Sequence, residues 1–84
     1  MFISAQVSLY PLRQQSLAPA IDRTLAIFKN SALQVSPGAM SSIVSGEDDI
    51  LFDALREAFR AASAEGDVVM AVTFSNACPV ERGK

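Results

Sequence analysis

Residues 2–10, FISAQVSLY, alternate between apolar and polar side chains. A repeat of two is the period of a β-strand, whose successive side chains point to opposite faces. The sequence therefore predicts a strand with one face on a core. The apolar face consists of Ile3, Ala5, Val7 and Leu9, and the polar face of Ser4, Gln6, Ser8 and Tyr10. We expect Pro11 to end this strand, because proline has no N–H for the ladder.

A helical pattern follows from about residue 16 to residue 30. Apolar residues recur there at intervals of three and four, which places them in one stripe on an α-helix. The stripe consists of Leu17, Ile21, Leu25 and Phe28. Ser16 precedes the stripe as the N-cap, and Pro19 falls in the first turn, where its missing N–H costs nothing.

A second helix is expected to open at residues 46–49, GEDD. Ser45 or Gly46 caps it in this interpretation. Its stripe consists of Leu51, Leu55, Ala58, Phe59 and Ala62, with Phe52 beside it. Residues 63–66 end the helix, with Gly66 as its left-handed C-cap. The acids at residues 47–49 offer paired carboxylates for Mg²⁺ or acid–base chemistry, but at a helix start we favour their role in complementing the helix dipole.

Three more segments are interpreted as strands. Residues 32–35 and 39–45 form a hairpin around the turn signal SPG at residues 36–38. Residues 67–76, DVVMAVTFSN, alternate more clearly. Their core face consists of Val68, Met70, Val72 and Phe74, and the other face of Val69, Ala71, Thr73 and Ser75. Cys78 and Pro79 close this strand, so we expect one domain over residues 1–79 and a C-terminal tail at residues 80–84.

The order strand, helix, strand, strand, helix, strand is that of a ferredoxin-like α+β sandwich. Right-handed crossovers require the strand order 4-1-3-2 in an antiparallel sheet, with both helices on one face. The first strand is then central, and the side of the sheet without helices is called here the bare face. The residues expected on the bare face are Phe2, Ser4, Gln6, Ser8 and Tyr10 from the first strand and Val69, Ala71, Thr73 and Ser75 from the last.

Hydroxyl, amide and phenol groups thus converge on the bare face beside apolar side chains. An exposed sheet face with apolar content is normally covered by another subunit, so we expect self-association. Its polar groups either bind a small ligand or simply allow two sheets to pack closely, and the residues leave both interpretations open. The register of the third strand leaves open whether Met40 and Ser42 or Ser41 and Ile43 join them.

The composition excludes several classes of function. The chain has 84 residues, 50% of them hydrophobic and 19% charged, and a formal charge of −2, which indicates one small domain that is apolar for its size. The absence of a basic cluster argues against nucleic acid and anionic membranes as partners. With no histidine and one cysteine, Cys78, the usual soft-ligand metal sites and Ser–His or Cys–His pairs are excluded. No signal-peptide pattern or transmembrane run is present, so we expect a cytoplasmic protein.

Four segments also carry a resemblance to known proteins: residues 4–12 (SAQVSLYPL), 37–46 (PGAMSSIVSG), 66–70 (GDVVM) and 75–79 (SNACP). In this order and spacing they resemble the YkoF-like thiamine-binding family of small bacterial and archaeal proteins. The resemblance covers residues 2–79 and implies a ferredoxin-like fold with dimers and tetramers built through the sheets. It also implies binding of thiamine or its hydroxymethylpyrimidine moiety without known catalysis. We expect no further cofactor and no metal.

The matched positions that the resemblance implies for the ligand are Gln6, Ser8, Tyr10, Met40, Ser42, Ser75 and Asn76. The chain departs from the family pattern at Ser42, where many relatives have threonine, and at Ser45, where an acid is common. An acid there would favour the thiazolium cation, so its absence predicts weaker binding of intact thiamine. Two other classes remain as alternatives: a structural oligomerisation module without a ligand, and a dimeric ferredoxin-like enzyme, which the missing histidine disfavours.

Overall fold

The computed structural model describes residues 1–12, 18–38, 41–64 and 66–77. In these residues the elements follow one another as β1 (Phe2–Leu12), α1 (Ala18–Lys29), β2 (Gln34–Pro37), β3 (Ser42–Glu47), α2 (Asp48–Ser63) and β4 (Asp67–Ser75). The predicted βαββαβ order is therefore confirmed. The predicted N-cap Ser16, together with Leu17, Cys78 and the tail at residues 80–84, lies outside the described residues. In the part of the chain described, no helix is long and apolar enough to cross a membrane.

The described strands form an antiparallel sheet in the order β2-β3-β1-β4. This is the predicted order, counted from the other edge. Residues 2–7 of β1 pair with β3, whereas residues 4–12 pair with β4. β1 is therefore central over its first half, and beyond Val7 β4 is the only described strand beside it.

The core lies between one face of the sheet and the helices α1 and α2. The buried cluster contains Ile3, Ala5, Val7, Phe28, Val44, Leu51, Ala54, Leu55 and Ala58. Because it joins residues of both helices to the same side of β1, α1 and α2 cover one face, as predicted. Phe74 lies at the end of β4 on this side, where its ring centroid is 4.9 Å from that of Phe52 in α2. The bare face is the opposite side.

Pro11 does not end β1, because the strand continues to Leu12 with Pro11 opposite Val68 of β4. Proline is tolerated in a sheet where one side of the strand has no partner to satisfy. The pairing of β1 with β3 stops at Val7, so no described strand lies on that side at Pro11. The prediction was wrong because it treated β1 as having two neighbours along its whole length.

The hairpin lies later in the chain than predicted. β2 begins two residues after its expected start because the chain turns through residues 30–32 after α1, where Ala32 has a positive φ of 56°. β3 extends to Glu47, so Ser45 and Gly46 lie in the strand and do not cap α2. A Cβ on Gly46 would meet the end of the Leu33 side chain, which would have to shift to make room for it.

The ends of α2 also differ from the prediction. Glu47 is the N-cap residue and makes no side-chain capping hydrogen bond, while Asp48 and Asp49 lie in the first turn. The C-cap is Ala64 in a right-handed helical conformation, and Gly66 follows two residues later with a φ of 154°. Residues with a side chain rarely adopt that angle. Gly66 is therefore needed for the turn into β4 and not as the C-cap.

Four of the five residues of the predicted α2 stripe are buried, whereas the buried face of α1 is rotated from its predicted stripe. The buried residues are Ala20, Thr24 and Phe28 in α1, and Leu51, Ala54, Leu55, Ala58 and Ala62 in α2. Ile21 and Phe59, which we expected in the core, are 37% and 43% exposed. Small side chains on the facing surfaces allow the helices to approach closely. Thr24 is accommodated because its hydroxyl donates a hydrogen bond of 2.9 Å to the Ala20 carbonyl.

Candidate functional site

A cavity of about 250 Å³ lies between α1, the second half of β1 and the turn that joins β2 to β3. We call it the α1 cavity. Its described lining residues are Val7, Leu9, Tyr10, Ile21, Thr24, Leu25, Phe28, Pro37, Gly38, Ser41 and Ser42. None of these residues carries a charge. Apolar walls with a few polar groups are typical of sites for small molecules.

The α1 cavity exists because β1 is longer than β3. β3 begins at Ser42, which lies opposite Val7 of β1 and Pro37 of β2. Beyond this point the structure places no described strand on that side of β1, and α1 spans the gap. The β2–β3 turn forms one wall, and it is closed by a hydrogen bond of 2.7 Å from the Gly38 N–H to the Ser41 carbonyl.

α1 supplies the apolar wall of the cavity. Ile21, Thr24, Leu25 and Phe28 recur at intervals of three and four and therefore share one side of the helix. Phe28 is only 1% exposed, whereas Ile21 is 37% exposed. Ile21 was wrongly expected in the core, and its actual place is at the mouth of the cavity.

Ser42 is the predicted site residue that faces the helices. The register places it beside Val7, whose side chain is on the core side of β1. Ser42 is half-buried, and its hydroxyl makes no hydrogen bond to another described side chain. Thr24 adds a hydroxyl whose hydrogen is already donated to Ala20, so this oxygen can still accept. The cavity thus offers the hydroxyl groups of Ser42 and Thr24, and it is also lined by Ser41 and Tyr10, among mostly apolar side chains.

Gln6, Ser8 and Tyr10 lie on the bare face, as predicted. The Gln6 side-chain amide donates a hydrogen bond of 3.2 Å to the Ser41 hydroxyl. Ile43 lies opposite Gln6, so the pair that joins the bare face is Ser41 and Ile43. Tyr10 is 45% exposed and also reaches the rim of the α1 cavity.

Ser75 and Asn76 lie at the other end of the sheet. They line a separate opening of about 210 Å³ together with Met1, Ile3, Asp48, Phe52 and Phe74. Ser75 is opposite Ser4, whereas Tyr10 lies six positions further along β1, a separation of roughly 20 Å. The predicted site residues therefore do not converge within one protomer. Met40 lies outside the described residues.

The α1 residues of the cavity were missed as functional residues because their spacing is also that of an ordinary core stripe. Pro37 and Gly38 were interpreted only as a turn signal. A comparison of strand lengths would have helped, since β1 spans 11 residues and β3 only 6. Such a mismatch leaves a helix without a sheet beneath it, which is where this cavity lies.

The acids before and within α2 contact the N-terminus of the chain. The Met1 ammonium donates to Glu47 at 3.0 Å and to Asp48 at 3.4 Å. These two hydrogen bonds, with the attraction of both carboxylates, raise the pKa of the ammonium above its ordinary value of 8.0. Among the described residues, no group of three or more His, Cys, Asp or Glu side chains is placed to hold a metal ion.

Comparisons with known proteins agree with this fold. The profile of the YkoF-related family matches residues 2–81. A hypothetical protein from Methanocaldococcus jannascii is 25% identical, with 98% of this chain and 91% of that one covered and a TM-score of 0.85. A protein from Streptococcus pneumoniae is 22% identical, with 99% and 97% covered and a TM-score of 0.86.

A proposed thiamine biosynthesis/salvage protein from Thermotoga maritima is 16% identical, with 99% of this chain and 95% of that one covered and a TM-score of 0.84. Among curated proteins, none matches the chain. The structural likenesses confirm the small ferredoxin-like fold, and the family profile extends over almost the whole chain.

Proposed function

The chain belongs to the YkoF-related family, and from this premise we propose that it is a non-catalytic protein that binds thiamine or its hydroxymethylpyrimidine moiety. The observation that carries the proposal is the α1 cavity, with the half-buried Ser42 hydroxyl directed among apolar walls. The fold likeness to the proposed thiamine biosynthesis/salvage protein of T. maritima supports the choice of ligand.

The size of the α1 cavity favours the single-ring pyrimidine over intact thiamine. Pockets for drug-sized ligands hold roughly 300–1,000 Å³, and this one holds about 250 Å³. A pyrimidine ring can lie against Leu25 and Phe28 while Ser42 and Thr24 hydrogen-bond to its edge. The thiazolium ring and any phosphate would then project toward the mouth.

The absence of charged side chains among the described lining residues favours a neutral ligand and binding without catalysis. The described lining residues include no carboxylate, amine or imidazole that could act as a general acid or base near pH 7. Among the described lining residues a buried cation or phosphate would meet no opposite charge, and such a burial is costly. We therefore propose that hydroxymethylpyrimidine binds more tightly than thiamine, and thiamine more tightly than thiamine diphosphate.

Isothermal titration calorimetry with these three compounds tests the proposal. The expected result is saturable binding of hydroxymethylpyrimidine with about one site per chain and weaker binding of the two larger compounds. Absence of heat with all three at millimolar concentration would overturn it. Turnover of a bound compound that is lost in a Tyr10→Phe variant would instead support the enzyme alternative.

We further propose that the protein self-associates through the bare face, which is covered by a second copy. The central rows of this face carry no charged side chain: Ser4, Gln6, Ser8, Tyr10, Gln34, Ser36, Ile43, Ser45, Val69, Ala71, Thr73 and Ser75. The charged Glu47 and Asp67 lie only at its ends, opposite Phe2 and Leu12. Depletion of charge at the centre with a polar rim is typical of interfaces. Association without any ligand binding would favour the structural module over a binding protein.

A further inference from the structure

We propose that covering of the bare face by a second copy fixes the wall of the α1 cavity through the hydrogen bond between Gln6 and Ser41. This inference rests on the self-association proposed above and concerns the regulation of the same cavity. Gln6 belongs to the bare face and is absent from the cavity lining, whereas Ser41 belongs to that lining. The bond therefore joins the two surfaces directly.

The β2–β3 turn has few other connections in the described residues. The Gly38 N–H donates to the Ser41 carbonyl at 2.7 Å, and the Gln6 amide donates to the Ser41 hydroxyl at 3.2 Å. The first bond closes the turn on itself. The second bond holds the turn to the central strand and so fixes its position relative to α1.

The turn is tightly closed at Gly38. A Cβ placed on this residue would lie 2.7 Å from the Ser41 carbonyl oxygen, which is closer than such atoms approach. Both Gly38 and Ser41 line the α1 cavity. A movement of Ser41 away from Gln6 would therefore displace a cavity wall.

In the single chain the Gln6 side chain is exposed, so water competes for its hydrogen bond. A second copy on the bare face would exclude that water and strengthen the bond. Association would then favour the closed turn, and by linkage a ligand that needs the closed turn would favour association by the same factor. The expected factor is about two- to tenfold, the range that one hydrogen bond supplies.

The experiment measures solvent exchange of the Gly38 amide proton by NMR at protein concentrations below and above the association midpoint, which sedimentation locates. In the wild type we expect exchange to slow by about two- to tenfold on association. Gln6→Met keeps the side-chain length but cannot donate, so the slowing should disappear. Ser41→Ala removes the acceptor at the other end of the hydrogen bond and should also abolish the slowing. This second variant tests the bond if Gln6→Met impairs association.

Thr73→Val is the matched control, because Thr73 lies opposite Gln6 on the bare face and makes no hydrogen bond to a described residue of the turn. It should retain the slowing seen in the wild type. Equal slowing in all four proteins, no slowing in the wild type, or a chain that stays monomeric would each overturn the coupling. Calorimetry with hydroxymethylpyrimidine tests the proposed function separately. Absence of binding would contradict the proposed function, while the exchange data would still decide whether the bare face and the turn are coupled.

Discussion

Ser42 shows how one residue depends on the register of its strand. Alternation requires that Ser41 and Ser42 face opposite sides of the sheet, and the sequence predicted this much. Which of them faces the helices is decided by pairing with β1, where Ser42 lies beside the buried Val7. Ser41 and Ser42 are identical, and the Ile43 and Val44 that follow are both apolar, so hydrophobic patterning gives no preference between the two registers.

Ser42→Ala should weaken binding of hydroxymethylpyrimidine by about two- to tenfold, because the variant loses one hydrogen bond to the ligand. Calorimetry measures the change. Ser36→Ala is the control, since Ser36 is exposed and pairs with Ile43 on the bare face. Equal weakening in both variants would show that the Ser42 hydroxyl does not contact the ligand.

The Met1 ammonium predicts a pH dependence of stability. Its hydrogen bonds to Glu47 and Asp48 raise its pKa in the folded chain above 8.0. A raised pKa means that this contribution is fully present below pH 8 and is lost as the pH rises through the folded value. Thermal unfolding from pH 7 to pH 10 should therefore show a larger loss of stability in the 84-residue chain with a free amine than in an N-acetylated one. Parallel pH profiles for the two forms would contradict this.

α1 shows what sequence patterning determines about an element and what it does not. The apolar spacing predicted the helix and its last turn, but the rotation was wrong by one position. Ala20 and Thr24 are buried because their small volume permits close packing and Thr24 bonds to its own helix backbone. Hydrophobicity ranks Ile21 and Leu25 above them, so the rotation could not be predicted without the partner helix.

Ile21→Trp should fill the mouth of the α1 cavity and reduce ligand binding by at least about tenfold, because the larger ring occupies the ligand's space. Its free energy of unfolding should change by less than about 1 kcal/mol, since the position is exposed. Ile50→Trp in α2 is a matched control with the same exposed fraction, 37%, outside the cavity. Fluorescence-monitored unfolding and calorimetry measure both effects. Unchanged binding in Ile21→Trp would place the ligand elsewhere.

At the scale of the whole molecule, the element order and the handedness of crossovers were sufficient to predict the sheet order. They were not sufficient to bring the predicted site residues together. Gln6 and Ser8 lie mid-sheet on the bare face, Ser42 faces the helices, and Ser75 and Asn76 lie at the far end. The family resemblance matches positions along the chain, whereas the distances between them depend on the length and register of β1.

Val69→Lys should prevent self-association, because it places a charge within the uncharged bare face, where a second copy offers no opposite charge. We expect the association constant to fall by at least about tenfold. Phe59→Lys is the control: Phe59 is 43% exposed, against 48% for Val69, but lies on α2 away from this face. Sedimentation at matched concentrations compares the two variants. Association of Val69→Lys at wild-type strength would exclude the bare face as the interface.

An NMR titration of the ¹⁵N-labelled chain with hydroxymethylpyrimidine shows whether the α1 cavity holds the pyrimidine ligand. We expect the largest saturable shifts of amide signals at Thr24, Leu25, Gly38 and Ser42, which surround the cavity. Saturable shifts confined to Ser75 and Asn76 or to the middle of the bare face, or no shifts at millimolar ligand, would contradict it.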